Sequence, residues 1–179
     1  SYANPSHEVE TKELLQKIYP EIPITISSEV LPRKREYKRL VVSGFDGYVK
    51  PIVTNYLMNL ETSLKNSGAN CPFHVMQSNG GVSGINNICL KPVGTALSGL
   101  AAGVIGAANV GLNAGYPDCI SLDMGGTSTD VSLIKDGKAI ITNDGGFEDY
   151  HLNIPMIDVI TIGAGVSSIA YVDAVGALK

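Results

Sequence analysis

One short run of residues combines the chemical groups that bind a phosphate together with its counter-ion. It reads Asp123-Met124-Gly125-Gly126-Thr127-Ser128-Thr129-Asp130. The glycines open successive backbone N–H groups to an anion, a threonine hydroxyl can donate to the same anion, and a carboxylate such as Asp123 can hold Mg²⁺ directly or through water. A plain Gly-Gly turn with solvated side chains explains the same residues equally well from composition alone. The run is therefore a candidate Mg²⁺ and phosphate site, with Thr127 and Thr129 as the hydroxyl donors considered.

Other motifs for nucleotides and for nucleophilic catalysis fail on their spacing. Gly137-Lys138 is the only Gly-Lys pair, but Ser132 replaces the first glycine of a Walker A loop. The stretch 163–168 begins Gly-Ala-Gly after an apolar strand, yet Ser168 stands where the dinucleotide fingerprint needs its third glycine. No Gly-x-Ser-x-Gly elbow is present. The three histidines are too far apart in sequence to form a metal-binding pair on one helix, so each is interpreted as structural.

The length and composition indicate a compact α/β protein. Of 179 residues, 44% are hydrophobic, 17% are charged and 20 are glycine, which excludes disordered, collagen-like and coiled-coil chains. A formal net charge of −4 argues against a nucleic-acid partner. The segment Val93–Val110 is too rich in alanine and glycine to cross a membrane. Three cysteines without a CxxC pair, and an N-terminus without an apolar leader, predict a reducing, cytoplasmic location.

Periodicity and breaker residues predict the elements that would position the candidate run. Helices are predicted over His7–Tyr19, Val49–Leu64, Gly94–Gly111 and Val166–Ala174. Strands are predicted over Ile22–Ile26, Pro72–Gln77, Cys119–Met124, Thr127–Ile134, Lys138–Thr142 and His151–Ile162. We interpret Arg33–Arg39 as a solvated basic connector and Asn143–Glu148 as a glycine-rich loop.

The candidate run falls at the first turn of a predicted strand meander. Gly125-Gly126 joins the strands Cys119–Met124 and Thr127–Ile134. Asp136-Gly137 is the dipeptide preferred in the type I′ turn, and it starts the next hairpin. The two carboxylates of the run are therefore expected to flank a tight turn between two antiparallel strands.

Eight motifs, taken in order along the chain, resemble the pattern of the hydantoinase A / 5-oxoprolinase family, to which acetone and acetophenone carboxylase subunits are related. They are Ser1–Glu8, Glu29–Pro32, Arg35–Arg39, Tyr48–Pro51, Met76–Gly81, Leu97–Val104, Asp123–Asp130 and Thr161–Gly165. Together these motifs cover nearly the whole chain, which is similar to the central segment of that family's proteins.

The resemblance implies an α/β fold of the actin-like, ribonuclease-H-like ATPase class, present in part, with a mixed sheet and flanking helices. It implies one domain over residues 1–179, with a helical lead-in over 1–70 and an α/β part over 71–179 that contains the phosphate hairpin. The implied activity is ATP-dependent hydrolysis of a cyclic amide such as a hydantoin or 5-oxoproline, in which phosphoryl transfer activates the lactam oxygen. A ketone carboxylase subunit and a non-catalytic nucleotide-binding or assembly module remain open alternatives.

The resemblance also implies roles for individual residues. Asp123 and Asp130 would be the catalytic carboxylates, and Asp123 would also hold Mg²⁺. The residues implied to bind ATP are Gly125, Gly126, Thr127, Ser128, Thr129, Gly163 and Gly165.

Two departures from the family pattern bear on this expectation. The family has a further amino-terminal lobe with its own phosphate loop, whereas this sequence holds one such loop. We therefore expect missing lobes, or a hydantoinase B-type partner subunit, to complete the enzyme. Val166 and Ser167 replace glycines of the family, and a valine side chain there is expected to crowd a nucleotide.

Overall fold

The computed structural model describes residues 2–147 and 150–178, and the chain divides into two compact units. Unit 1 comprises Ser1–Ala102 and Ile141–Ile157, and unit 2 comprises Gly103–Ile140 and Asp158–Lys179. Each unit is therefore built from two separate stretches of the chain. Glu148, the last residue of the predicted glycine-rich loop, lies outside the described residues.

Unit 1 is mainly helical. Its helices are α1 (Ser6–Ile18), α2 (Ser27–Val30), α3 (Glu36–Asn66), α4 (Ile85–Leu90), a 3-10 turn (Pro92–Thr95) and the start of α5 (Ser98–Asn113). Its strands are β1 (His74–Met76), β2 (Val82–Gly84), β6 (Ile141–Thr142), β7 (Gly146–Phe147), β8 (Tyr150–His151) and β9 (Met156–Ile157). They pair as three antiparallel two-stranded sheets, β1 with β2, β6 with β9 and β7 with β8.

Two sequence predictions for the first 70 residues are wrong. The stretch Ile22–Ile26 forms no strand; it leads into α2, and Pro23 removes a backbone donor from its middle. Arg33–Arg39 is a connector only as far as Arg35, because α3 begins at Glu36 and continues for 31 residues with Pro51 inside it. The helix predicted from Val49 is thus the second half of a longer helix, and charged residues occupy its first turns because those turns are largely exposed.

The core of unit 1 surrounds a buried carboxylate on α3. Its apolar cluster consists of Val30, Leu31, Val42, Val93, Leu152 and Ile154. Asp46 is fully buried and accepts hydrogen bonds from the Val93 N–H at 3.1 Å and the Thr25 hydroxyl at 3.2 Å. Lys50, one turn further along α3, forms an ion pair with Asp46 at 3.1 Å. Because each oxygen of this carboxylate has a partner, its burial is compatible with a stable core.

Unit 2 is an antiparallel sheet preceded by the C-terminal part of α5. Its strands are β3 (Cys119–Met124), β4 (Thr129–Lys135), β5 (Lys138–Ala139) and β10 (Ile160–Ile162). Strand β4 lies in the centre of the sheet, between β3 and β10. The short strand β5 also pairs with β4. Asp136 and Gly137 have φ of 51° and 70°, which confirms the predicted type I′ turn between β4 and β5.

The predicted meander of β3, β4 and β5 is confirmed, but three longer predictions are corrected. The strand predicted over Lys138–Thr142 is split into β5 and β6, which belong to different sheets. The strand predicted over His151–Ile162 is split into β8, β9 and β10. Pro155 lies in the break between β8 and β9, and it has no backbone N–H to donate to a neighbouring strand. Helices and strands are mixed along the chain as predicted, yet every strand pair in the described residues is antiparallel, so the expected mixed sheet is absent from this part of the chain.

The C-terminal helix predicted over Val166–Ala174 is also wrong. Residues 163–178 form turns and one isolated bridge between Val172 and Leu178. Ser168 accounts for the difference, because its N–H donates to the Gly165 carbonyl at 2.8 Å while its hydroxyl accepts the Gly165 N–H at 3.0 Å. Such local bonds compete with a helix for the same backbone groups.

One face of the unit 2 sheet is apolar and open to solvent. Side chains alternate between the two faces of a strand, so the cross-strand register groups these aliphatic residues together. Six residues of this face are each between 48% and 68% exposed, namely Ile120, Leu122, Met124, Leu133, Ile160 and Ile162. On the same face of β4, Val131 is partly buried and Thr129 is buried. Across residues 2–147 and 150–178, no helix combines the length and the hydropathy needed to cross a bilayer.

Candidate functional site

The β3–β4 hairpin places the two predicted carboxylates directly opposite each other. Asp123 pairs with Asp130, and Met124 pairs with Thr129. The turn between them is closed by a 2.9 Å hydrogen bond from the Gly125 N–H to the Ser128 carbonyl. Directly opposed residues lie on the same face of a sheet, where two like charges disfavour pairing. The repulsion between Asp123 and Asp130 thus lies at the point where the sequence predicts a cation.

The loop formed by residues 163–168, called the Gly163 loop below, binds the hairpin turn through the turn's carbonyl groups. The Val166 N–H donates to the Gly125 carbonyl at 3.1 Å, and the Ser167 hydroxyl donates to the Gly126 carbonyl at 2.9 Å. The C=O and N–H of a trans peptide point in opposite directions. The N–H groups of Gly126 and Thr127, which belong to the same two peptides, therefore point away from the Gly163 loop.

The turn has unpaired backbone donors. The N–H groups of Gly126, Thr127 and Ser128 donate to no other group in the described residues. Gly126 is exposed, and a Cβ built on it would have no neighbour within 4 Å. Successive N–H groups on an open turn form a concave site for an anion. The turn can thus accept a phosphate without moving any protein group out of the way.

The glycines of the Gly163 loop differ in their surroundings. Gly163 is exposed, and a Cβ there would have no neighbour within 4 Å. Gly165 is buried, and a Cβ there would lie 2.5 Å from the Gly125 carbonyl oxygen and 2.6 Å from the Gly126 carbonyl group. A side chain at 165 would separate the loop from the turn, so Gly165 is required for this close approach.

The three hydroxyl residues of the turn are also placed differently. Thr127 is exposed, and Ser128 is partly buried. Thr129 is 1% exposed and donates its hydroxyl to the Ala164 carbonyl at 2.5 Å. Thr129 thus fixes the Gly163 loop, while the exposed hydroxyl at 127 faces solvent.

The two carboxylates have different environments. Asp123 is exposed, and a Cβ built on Gly103 of α5 would lie 3.9 Å from the Asp123 Oδ2 atom. Asp130 is partly buried and accepts a 2.5 Å hydrogen bond from the Thr161 hydroxyl. Among the described residues, no group of three or more His, Cys, Asp or Glu side chains could hold a metal ion. A cation at Asp123 would need water and phosphate oxygens as its other ligands, which is the coordination that Mg²⁺ favours.

Two residues of the Gly163 loop, Val166 and Ser167, hold the turn through bonds that the sequence does not show. Val166, which the sequence predicts to crowd a nucleotide, is 75% exposed, and its backbone N–H donates to the Gly125 carbonyl. Sequence reasoning treated Ser167 only as a departure from glycine, although its hydroxyl bonds to the turn. The only available signal was a hydroxyl residue close to Gly-x-Gly, which is too common to indicate this contact.

Comparisons with known proteins give a consistent result. The profile of the hydantoinase/oxoprolinase family matches residues 39–179. The chain is 33% identical to caprolactamase subunit alpha of Pseudomonas jessenii, covering 100% of this chain and 26% of the relative. It is 35% identical to 5-oxoprolinase of Saccharomyces cerevisiae, covering 94% of this chain and 13% of the relative.

Among solved structures, the chain is similar to nucleotide-free acetone carboxylase, an enzyme of ATP-dependent acetone carboxylation. The two share 30% identity and a TM-score of 0.79, over 100% of this chain and 26% of that chain. The chain thus spans about a quarter of the length of this structure and of the caprolactamase subunit.

Proposed function

Because the chain belongs to the hydantoinase/oxoprolinase family, we propose that its β3–β4 hairpin binds the phosphates of Mg·ATP in an enzyme that hydrolyses cyclic amides. We assign unit 2 to part of an actin-like ATPase fold, in which this hairpin is a phosphate loop. The ATP dependence rests on the likeness to acetone carboxylase, and the cyclic amide on the caprolactamase and 5-oxoprolinase relatives.

The arrangement of the hairpin turn is the observation that carries the proposal. Three unpaired N–H groups lie at Gly126, Thr127 and Ser128, beside an open glycine and two facing carboxylates. The Gly125 and Gly126 carbonyls, which share peptides with the N–H groups of Gly126 and Thr127, are already bonded to the Gly163 loop. Donors that are held in place before a ligand arrives need no reorganisation when negative charge develops on it. These residues fit a phosphate with its magnesium ion.

Each residue of the turn then has a role. The N–H groups of Gly126, Thr127 and Ser128 and the Thr127 hydroxyl bind phosphate oxygens. The open backbone at Gly125 lets the phosphate approach, since a Cβ there would have only the Ser128 carbonyl oxygen nearby, at 3.6 Å. When bound, Mg·ATP supplies a phosphoryl group that converts a substrate oxygen into a better leaving group.

The remaining predicted residues hold or complete this arrangement. Asp123 holds the magnesium ion directly or through water, and Asp130 is oriented towards the same site by the Thr161 hydroxyl. Thr129 and Gly165 allow the Gly163 loop to lie against the turn, and Gly163 offers open backbone at the start of that loop. Asp123 and Asp130 are thus the carboxylates whose loss affects chemistry most.

The substrate is expected to contact other parts of the assembly. The chain spans 26% of the length of the caprolactamase subunit, and that relative is described as a subunit. We propose that further lobes, or a hydantoinase B-type partner subunit, bind the cyclic amide. This chain then supplies the nucleotide contacts, in the cytoplasm, where ATP is available.

The proposal is tested by blocking the open face of the turn. A Cβ at position 126 has no neighbour within 4 Å, and the backbone there is outside the left-handed region, so Gly126→Val should fold. We expect calorimetric titration with Mg·ATP to show an affinity reduced at least about 10-fold, because charge-assisted hydrogen bonds to phosphate are lost. The protein is purified with any subunits that accompany it.

Gly84→Val is the matched control, since position 84 also has open space and extended backbone. Equal Mg·ATP affinity in Gly126→Val and Gly84→Val would exclude the turn as the phosphate site. Asp123→Asn should weaken the Mg²⁺ dependence of binding, whereas Asp144→Asn, which removes one charge from an exposed loop, should not.

A ketone carboxylase subunit is the second candidate, favoured by the TM-score of 0.79 to acetone carboxylase over the whole chain. The two candidates differ in substrate, so phosphate release is measured with a lactam and, separately, with a ketone and bicarbonate. Release that depends on the lactam supports the hydrolase, and release that depends on ketone and bicarbonate supports the carboxylase. Mg·ATP binding without release under either condition would leave the non-catalytic module as the function.

A further inference from the structure

The turn of the hairpin is held by two bonds of different kinds. The Gly125 carbonyl accepts the backbone N–H of Val166, a bond that almost any residue at 166 would provide. The Gly126 carbonyl accepts the hydroxyl of Ser167, a bond that requires a side chain with a donor. In the described part of the chain, no other side chain bonds to a carbonyl of residues 125–127.

The bond from Ser167 determines the direction of one phosphate donor. The Gly126 carbonyl and the Thr127 N–H belong to one planar peptide, so fixing the oxygen also fixes the N–H on the opposite side. Gly126, which borders this peptide on one side, lacks a side chain that would limit its rotation, and Thr127 borders it on the other side. Without the hydroxyl, the peptide can turn its carbonyl oxygen towards a bound phosphate, which would repel it.

We propose that Ser167 is a positioning residue that orients the Thr127 N–H towards the phosphate of the ligand. This inference rests on the proposed function, since it assigns a role within the same phosphate site. Ser167 acts through the turn: its hydroxyl donates to the Gly126 carbonyl at 2.9 Å and its proton is therefore already engaged. The Ser167 hydroxyl thus gives this chain a turn that is ordered before the nucleotide binds.

The loop stays in place without this hydroxyl, which makes the proposal testable. The Thr129 hydroxyl bonds to the Ala164 carbonyl, the Val166 N–H bonds to the Gly125 carbonyl, and Ser168 closes the loop on Gly165. None of these bonds involves the Ser167 side chain. Ser167→Ala is therefore expected to fold with a Tm close to that of the wild type.

The experiment compares Ser167→Ala, Ser167→Thr and Ser168→Ala in the protein purified with its accompanying subunits. We expect Ser167→Ala to lower the Mg·ATP affinity about 5- to 10-fold, the effect of one oriented hydrogen bond. We also expect kcat for phosphate release to fall by a larger factor than KM for Mg·ATP rises. A misdirected N–H is most costly in the transition state, when negative charge develops on the transferred phosphoryl group. Ser167→Thr keeps a hydroxyl and should restore both values.

Ser168→Ala serves as the comparison for general loosening of the loop. It removes a loop side-chain bond that does not involve the turn, so its Mg·ATP affinity should stay within about 2-fold of the wild type. Equal losses in Ser167→Ala and Ser168→Ala, or failure of Ser167→Thr to restore affinity, would overturn the positioning role. Wild-type binding that Ser167→Ala leaves unchanged would overturn this inference alone, whereas no wild-type binding of Mg·ATP would overturn the proposed function as well.

Discussion

Glu8 shows how a single side chain joins distant parts of unit 1. One oxygen of this α1 carboxylate accepts the Ser27 hydroxyl and the Ser28 N–H, each at 2.9 Å, at the start of α2. Its other oxygen lies 3.7 Å from the guanidinium of Arg39 on α3. Burial raises the pKa of Glu8, but the hydrogen bonds from Ser28 and Ser27 outweigh it and lower the pKa from 4.5 to about 2. Ionised Glu8 therefore stabilises the fold.

The lowered pKa of Glu8 predicts a specific dependence of stability on pH. Above the unfolded pKa of about 4.5 the stabilisation is fully present, and it is lost as the pH falls towards the folded pKa of about 2. We expect Glu8→Gln to be less stable than the wild type at pH 7 and to lose less stability between pH 5 and pH 2.5. Urea unfolding at a series of pH values measures both.

Glu10→Gln is the control for loss of one charge on the same helix, because Glu10 is exposed. An identical pH slope in the wild type and in Glu8→Gln would show that the bonds to α2 contribute nothing to the free energy of unfolding.

At the scale of elements, an irregular loop is held in one conformation by a hairpin. The Gly163 loop has no helix or strand, yet three bonds join it to the turn and to β4. Gly165 is buried at the closest approach, where backbone meets backbone. The turn and the loop therefore form one structural unit, although the candidate phosphate donors lie only on the turn.

The close approach at Gly165 predicts a large effect of one methyl group. A Cβ at 165 would lie 2.5 Å from the Gly125 carbonyl oxygen, and the neighbouring atoms are backbone that cannot rotate away. We expect Gly165→Ala to destabilise the protein by about 1–3 kcal/mol, as overpacking does in other cores. Urea unfolding measures this change.

Gly163→Ala provides the control, since position 163 has open space around it and should cost less than about 1 kcal/mol. If the two alanine variants are equally stable, the loop does not lie against the turn in solution.

The elements that the sequence predicted correctly are those whose pattern is local. β3, β4 and the type I′ turn at Asp136-Gly137 follow from strand periodicity and turn chemistry within a few residues. The failures depend on bonds that the periodicity does not show: residues 166–174 read as a helix, but Ser168 bonds locally to Gly165 and Ser167 bonds to a hairpin about 40 residues earlier. At the candidate site, the sequence predicts the glycines and carboxylates as site residues, whereas the bonds of Thr129 to the Gly163 loop and of Ser167 to the turn required the fold.

At the scale of the whole molecule, the sheet of unit 2 carries an exposed apolar face. Its six aliphatic side chains lie on one face across β3, β4 and β10 and are each about half or more exposed. Contiguous apolar patches of this kind mark surfaces that other protein covers. The similar acetone carboxylase chain is about four times as long, since this chain covers 26% of it.

The apolar face predicts the behaviour of the 179-residue chain in isolation. We expect it to bind a hydrophobic dye and to show a sedimentation coefficient that rises with concentration, because the exposed sheet face favours association. Leu122→Lys should reduce both, since Leu122 lies within the face and is 64% exposed.

Leu14→Lys is the control, because Leu14 is 54% exposed on α1 and outside the sheet. A wild-type chain that stays monomeric at all concentrations and binds no dye would show that the face is covered in solution.

The interleaving of the two units also sets an order in time on the ribosome. The β3–β4 turn is synthesised early, but Ser167 follows Gly126 by 41 residues, and Ala164 follows Thr129 by 35. At about 5–20 residues per second, the turn waits about 2–8 s for the residues that bond to it. During that interval the residues of the turn, which carry the proposed phosphate donors, lack the partners that bond to them in the folded chain. We expect translational pausing between residues 130 and 163 to prolong this interval.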